Sequence, residues 1–396
     1  MRAAFSRIGC TISCDANVVT GMLICAALIG RRVFVFAAVA LVVVKFGTRL
    51  LQRDTAPVDP PETEPAARPW RRAPEAVFRP PPDAGSVAMP DVSSLRDALK
   101  GVLVGQRDVI DALLIALIAG GHVLFEGAPG LAKTLACRTL AQAVDGTFAR
   151  VQCTADLLPA DILGSEIFDP RDLSFRTRLG PLFANVVLLD EINRAPARTQ
   201  AALFEALGER QVTLGGQTHT LPDMFVALAT MNEMEPDGIY QLPAAQLDRF
   251  LLKVVLDFPS AREELVILER FGHADAAALA PVVSPEDVRS WRAAAQTIYC
   301  APVLKDYIVA LVCATRDRTA GTGIERGAGP RASLALARAA RAKAMLAGRN
   351  FVLPEDVRAI ACAALRHRIA FVRGFLLDRH DVEARLDSLV GAVPGA

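Results

Sequence analysis

The chain has 396 residues, enough for two or three domains, and a hydrophobic fraction of 52% that provides for a sizeable core and excludes a wholly disordered chain. With 44 basic and 43 acidic residues the formal charge is +1, so bulk charge points to neither a nucleic-acid binder nor an acidic tail protein. The balance is uneven: residues 1–53 carry seven basic residues and one acid, which leaves the remainder at −5, the wrong sign for gripping a phosphate backbone.

In chain order, residues 17–44 come first, apolar but interrupted by Arg31 and Arg32. Each half is shorter than the roughly 18–20 residues that cross a bilayer as a helix. As a single span, two central arginines would cost about 5–7 kcal/mol, offset in part by their apolar neighbours. Residues 1–53 therefore read in one of two ways. Either they are a membrane anchor, or they lie upstream of the true start, since Met89 stands just before the first regular pattern. Residues 54–90 hold ten of the 25 prolines. Such a stretch propagates neither helix nor sheet and is expected to be a disordered linker.

From residue 91 apolar, β-rich runs alternate with helical segments: 122–127, 148–153, 185–191, 224–232 and 250–257. Five strands separated by helices predict an α/β domain over 91–259, with a parallel sheet covered on both faces. After Asp257 the strands cease, and 261–272, 284–299, 302–317, 330–347 and 354–369 read as helices of a small all-α domain over 260–396. Ser284-Pro285-Glu286-Asp287 is a helix start, with a capping serine, proline at the first position and acids in the first turn. Eight cysteines show neither CxxC spacing nor a histidine placed as a zinc partner. Cys137, Cys153, Cys313 and Cys362 lie in apolar surroundings and read as buried, reduced thiols.

The chemistry concentrates in the first of these domains. Gly127-Ala128-Pro129-Gly130-Leu131-Ala132-Lys133-Thr134 follows a strand and opens an apolar helix, beginning with Leu135. Backbone N–H groups and a helix N-terminus in that setting cradle phosphates, a lysine supplies charge and a threonine hydroxyl ligates Mg²⁺. One position departs from the pattern: Ala132 stands where glycine is usual. Asp190-Glu191 ends an apolar strand 57 residues after Lys133. Two acids at the carboxyl edge of a parallel sheet stand where ligands bind, with Asp190 suited to hold Mg²⁺ and Glu191 to take a proton from water. Asn232 ends a strand, either as a water-placing amide or as an ordinary turn asparagine. Arg249 precedes the last strand, either as a surface arginine or as a finger for a neighbour's phosphate. Arg331 opens a helix, where a cation opposes the dipole, which suggests nucleotide contact against the plainer surface reading.

From Val102 to about Val393 the chain resembles a MoxR-type AAA+ ATPase. The resemblance is carried by VGQ (104–106), LFEGAPGLAKT (124–134), DLLPADILG (156–164), GPLFANVVLLDEINRAP (180–196), QAALFEAL (200–207), YQLPAAQLDRF (240–250) and GPRA (329–332). The AKT ending matches this family's habit. The resemblance implies that Lys133 and Thr134 take phosphate and Mg²⁺, and that Asp190 and Glu191 are metal-site acid and catalytic base. It further implies that Asn232 is the first sensor, Arg249 the finger and Arg331 the second sensor, with Val104, Gly105 and Gln106 beside adenine. An insert in the second core helix fits 156–184. Residues 211–218 read independently as a β-hairpin with a Gly-Gly turn. Asn232-Glu233 departs from the family's Asn-Pro. The resemblance implies ATP and Mg²⁺ as cofactors, a homo-hexamer, and a chaperone-like task on a client protein, often with a von Willebrand A domain partner. The expected location is cytoplasmic, tethered to the inner face of a membrane if residues 17–44 act as an anchor. Two rival functions share the core: a nucleic-acid motor, which the −5 body disfavours, and a non-hydrolysing scaffold, which Glu191 and Arg249 disfavour.

Overall fold

The structure is a computed structural model. It describes residue 80 and residues 89–128, 130–171, 173–231, 240–272, 279–317, 323–372 and 379–393. Residues 17–44 and nearly all of 54–90 lie outside the described residues, as do Pro129 and Asn232. Among the described residues no helix is long and apolar enough to cross a membrane.

The chain begins with helices α1 (Ser93–Val102) and α2 (Arg107–Ala119), the latter stopped by Gly120 in the left-handed region. Then follow β1 (Val123–Glu126), α3 (Lys133–Ala143) and β2 (Phe148–Gln152). The stretch expected as an insert holds a short helix, α4 (Pro159–Leu163), and a hairpin of β3 (Gly164–Asp169) and β4 (Ser174–Leu179). Next come β5 (Val186–Asp190), α5 (Ala197–Glu209), a hairpin of β6 (Gln211–Leu214) and β7 (Gln217–Thr220), then β8 (Val226–Met231), α6 (Ala244–Leu247) and β9 (Leu252–Val255). The second hairpin turns at Gly215 and Gly216, both with positive φ, as a two-residue hairpin turn requires.

Five strands form one parallel sheet in the order β2-β5-β8-β1-β9. Each of the five runs foreseen as strands contains one of them. Alternate residues along β5 and β8 feed two separate cores. Val186, Leu188, Val226 and Leu228 pack with α2 and α3, while Val187, Leu189, Ala227 and Ala229 pack with Leu203 and Phe204 of α5. A parallel strand buried on both faces needs apolar residues at every position, which is why these strands read as unbroken runs.

Beyond β9 the chain forms α7 (Ala261–Phe271), α8 (Pro285–Thr297), α9 (Pro302–Ala314), β10 (Ile324–Arg326), α10 (Pro330–Leu346), α11 (Pro354–Leu365), β11 (Ala370–Phe371) and α12 (Arg379–Ala392). Ser284 caps α8 as its sequence predicts, its hydroxyl accepting from the Asp287 N–H at 3.2 Å. The lid is helical with one addition. Strands do not cease at Asp257, because β10 and β11 pair antiparallel. They are too short to carry a readable alternation. α8 and α10 pack against α2, and the Lys343 ammonium meets Asp111 at 2.6 Å, so core and lid share one hydrophobic cluster. Cys137 and Cys153 are buried as expected, whereas Cys313 on α9 and Cys362 on α11 are only half-buried.

Candidate nucleotide site

The loop after β1 passes into α3 through Ala132, whose φ of 53° is left-handed. Alanine bears a steric cost there that glycine does not. Lys133 folds back over the loop, donating from Nζ to the Gly127 carbonyl at 2.6 Å. Burial lowers its pKa, while Asp190, Glu191 and Glu126 oppose that shift, so three acids surround one lysine. Gln106 donates to the Leu131 carbonyl at 3.1 Å and ties the strip Val104–Gln106 to the loop. That strip lines a cavity of about 850 Å³ together with Arg96, Lys100 and Arg270.

Asp190 and Glu191 leave β5 at the same sheet edge. Thr230 on β8 donates to Asp190 Oδ1 at 2.7 Å and accepts from the Glu191 N–H at 2.8 Å. From β2, Arg150 donates to Asp190 Oδ2 at 2.6 Å, and Gln152 Nε2 donates to Glu191 Oε2 at 3.2 Å. Arg194 Nε lies 3.1 Å from the same Glu191 oxygen. Glu191 has a φ of 55°, so its backbone is held in a left-handed turn as β5 ends. Burial, followed by Asp190 and Glu191, pushes the Cys153 thiol up to about 12, and Cys137 moves the same way, so neither is a thiolate near neutrality.

Arg249 and Arg331 do not join this edge. The Leu251 N–H bonds to His122 O where β1 begins, and the Leu256 N–H bonds to Glu126 O where β1 ends. Arg249 therefore stands at the opposite end of the sheet from Gly127, about 15 Å away for a strand of this length. Arg331 lies with it, 3.8 Å from Asp248 Oδ2. Both line a second cavity of about 410 Å³ with Arg210, Arg338 and Asp248. The loop, the 104–106 strip and the acids are thus brought together, while the two arginines are separated from them.

Comparison with known proteins decides the family. Residues 122–252 match the ATPase family associated with various cellular activities (AAA), and residues 316–389 match the AAA lid domain. The chaperone MoxR1 of Mycobacterium tuberculosis is 39% identical over 79% of this chain and 85% of its own. The protein MoxR of Paracoccus denitrificans is 35% identical over 75% of this chain and 94% of its own. The chain belongs to the MoxR family of AAA ATPases. A crystal structure of a candidate ATPase from Cytophaga hutchinsonii is 37% identical to this MoxR-family chain, with a TM-score of 0.71 over 77% of this chain and 94% of that one.

A nucleotide with Mg²⁺ fits the first edge of this MoxR-family protein. Gln106 Oε1 is buried without a hydrogen-bond partner and stands ready as an acceptor beside the cavity. Among the described residues no cluster of three or more His, Cys, Asp or Glu side chains could hold a metal. Mg²⁺ suits one carboxylate, one hydroxyl and phosphate oxygens, donor types that Asp190 and Thr134 would supply, although Thr230 and Arg150 engage both Asp190 oxygens here. Sequence reasoning passed over Thr230, Arg150, Gln152 and Arg194. Only the β2–β5–β8 register brings Thr230, Arg150 and Gln152 to the acids, whereas Arg194 stands three residues after Glu191, within the stretch 180–196.

Proposed function

We propose that this chain hydrolyses ATP with Mg²⁺ and does so as a ring, a hexamer, in which the arginine edge of one subunit covers the phosphate edge of the next. The observation that carries this reading is the separation of Arg249 and Arg331 from Lys133, Asp190 and Glu191. No single subunit joins the two edges, and each supplies what the other lacks. In this reading the loop Gly127–Leu135 and Lys133 bind the β- and γ-phosphates, and Val104, Gly105 and Gln106 flank the adenine. Thr134 and Asp190 hold Mg²⁺, which neutralises phosphate charge. Glu191 takes the proton of the attacking water, and Asn232 helps to place that water. Arg249 and Arg331 of the neighbouring copy stabilise the charge that develops on the transferred phosphoryl group. The task is chaperone-like remodelling of a client in the cytoplasm, with a von Willebrand A domain protein as co-partner. The β3–β4 hairpin supports it, since Phe168 and Phe175 pair across the ribbon and both remain exposed, as does Leu173. Exposed apolar surface of this kind marks a contact site.

The test mixes two variants. Arg249→Ala keeps its base and Glu191→Gln keeps its finger. Each alone should bind ATP and lose turnover, by about 10²–10⁴-fold for the base and 10³–10⁵-fold for the finger. Mixed together, they should regain activity that rises with protein concentration, because some interfaces pair a good base with a good finger. Subunit exchange without recovered turnover overturns the shared site.

A further inference from the structure

Asp190 has both carboxylate oxygens engaged, and the two partners differ in kind. Oδ1 takes the Thr230 hydroxyl at 2.7 Å. Thr230 is 1% exposed, and its own oxygen also receives the Glu191 N–H, so it cannot turn away without orphaning a backbone donor. Oδ2 takes Arg150 Nη2 at 2.6 Å. Arg150 reaches in from β2, the edge strand, and its side chain is 48% exposed, so it can swing into solvent at small cost. An arginine placed only to guard a sheet edge points into water. This one instead lies on the acid best suited to hold the metal.

We propose that Arg150 is a built-in counter-cation that keeps the metal position of Asp190 filled when nucleotide is absent and competes with the divalent ion for Oδ2. The proposal rests on the nucleotide-site reading above and adds a residue that the reading does not use. A divalent ion brought to Oδ2, directly or through a bound water, meets the Arg150 guanidinium at contact distance, and the repulsion between the two cations sets them in competition for that oxygen. The Arg150 pair is a second cation, besides Lys133, at the acids of this edge. It extends to the second acid. Arg150 Nη2 donates to Gln152 Oε1 at 3.0 Å, and Gln152 Nε2 donates to Glu191 Oε2. Displacement of Arg150 therefore releases the amide that holds Glu191, and metal arrival is felt at the base.

The experiment measures metal affinity and not turnover. Mn²⁺ binding to the full chain with saturating ADP is followed by electron paramagnetic resonance. ADP affinity is measured separately in EDTA. Arg150→Gln removes the competitor and should tighten Mn²⁺ binding about five- to tenfold, the span of one partly exposed charge-assisted contact, while ADP affinity in EDTA stays within about twofold. Arg150→Lys keeps a cation and should lie between the two. Arg194→Gln removes the same charge next to Glu191 and should leave Mn²⁺ affinity within about twofold, since contact and not bulk field is at issue. Unchanged or weaker Mn²⁺ binding in Arg150→Gln overturns the proposal, as does an equal gain in Arg194→Gln. Failure of the wild-type chain to bind ADP at all would instead sink the nucleotide-site reading, and this inference with it.

Discussion

Thr230 shows how much one hydroxyl can fix. It donates to Asp190 and accepts from the backbone of Glu191, so it sets both acids from a single buried atom. Thr230→Val keeps the shape and removes both bonds. It leaves a buried N–H unpaired at about 1–3 kcal/mol, and chemical denaturation should show a loss in that range. Turnover should fall as well, because Glu191 is no longer held in its left-handed turn. Thr230→Ser restores the hydroxyl and should recover most of both, which separates the bond from the packing of the methyl group.

At the scale of elements, the arginine edge depends on a clamp between lid and core. Arg368 follows α11 and is almost fully buried. It donates to Asp248 Oδ1 at 2.7 Å and to the carbonyls of Phe250 and Leu251 at 2.6 and 3.2 Å. Burial lowers its pKa, and Asp248 counters the shift. Asp248 immediately precedes Arg249, so the clamp sets the direction in which Arg249 leaves the fold. Arg368→Met removes the buried, nearer partner of Asp248 and leaves it Arg331 at 3.8 Å, at a cost toward the low end of about 3–5 kcal/mol. Denaturant titration should read that loss. ADP affinity should change little, since the phosphate loop lies at the far edge of the sheet. A comparable collapse of ADP binding would mean that the two edges are coupled through the sheet.

Across the whole molecule, acid should loosen the fold through His122. Burial, then Arg210, lowers its pKa to about 4, and it stays neutral with Nδ1 accepting from the Ala227 N–H. Unfolded, it titrates near 6.5, so its contribution is complete above that pH and is lost as pH falls toward 4. His367 is shifted in the same direction, by burial and then Arg368. Between pH 7 and 5 thermal melts should show a loss of about 2 kcal/mol from His122 alone. His122→Asn should flatten that slope, whatever it costs at pH 7. A chain begun at Met89 tests organisation at the same scale. Val92 and Leu95 are buried in the main core and every residue of the nucleotide site lies beyond them. That chain should melt cooperatively and bind ADP as the full chain does, by calorimetry.

Sequence alone determined the five parallel strands and the main helices after them, and it singled out the loop and the two acids at one end of the sheet. The five parallel strands are legible because burial on both faces demands unbroken apolar runs, and the Ser284 cap because hydroxyl, proline and acid stand at fixed offsets. Lys133, Asp190 and Glu191 are legible for a related reason: a lysine between a glycine-rich loop and a helix, and two acids ending an apolar strand, are each local patterns. Only the tertiary structure decided what touches the acids and where the arginines stand. Arg150, Gln152 and Thr230 reach Asp190 and Glu191 from about 40 residues away, through strand register that local pattern does not encode. Arg249 occupies the far edge because β9 runs parallel to β1, so the residue before β9 must lie opposite the loop after β1, and Arg331 joins it there beside Asp248. That direction is a property of the sheet and of no residue within it.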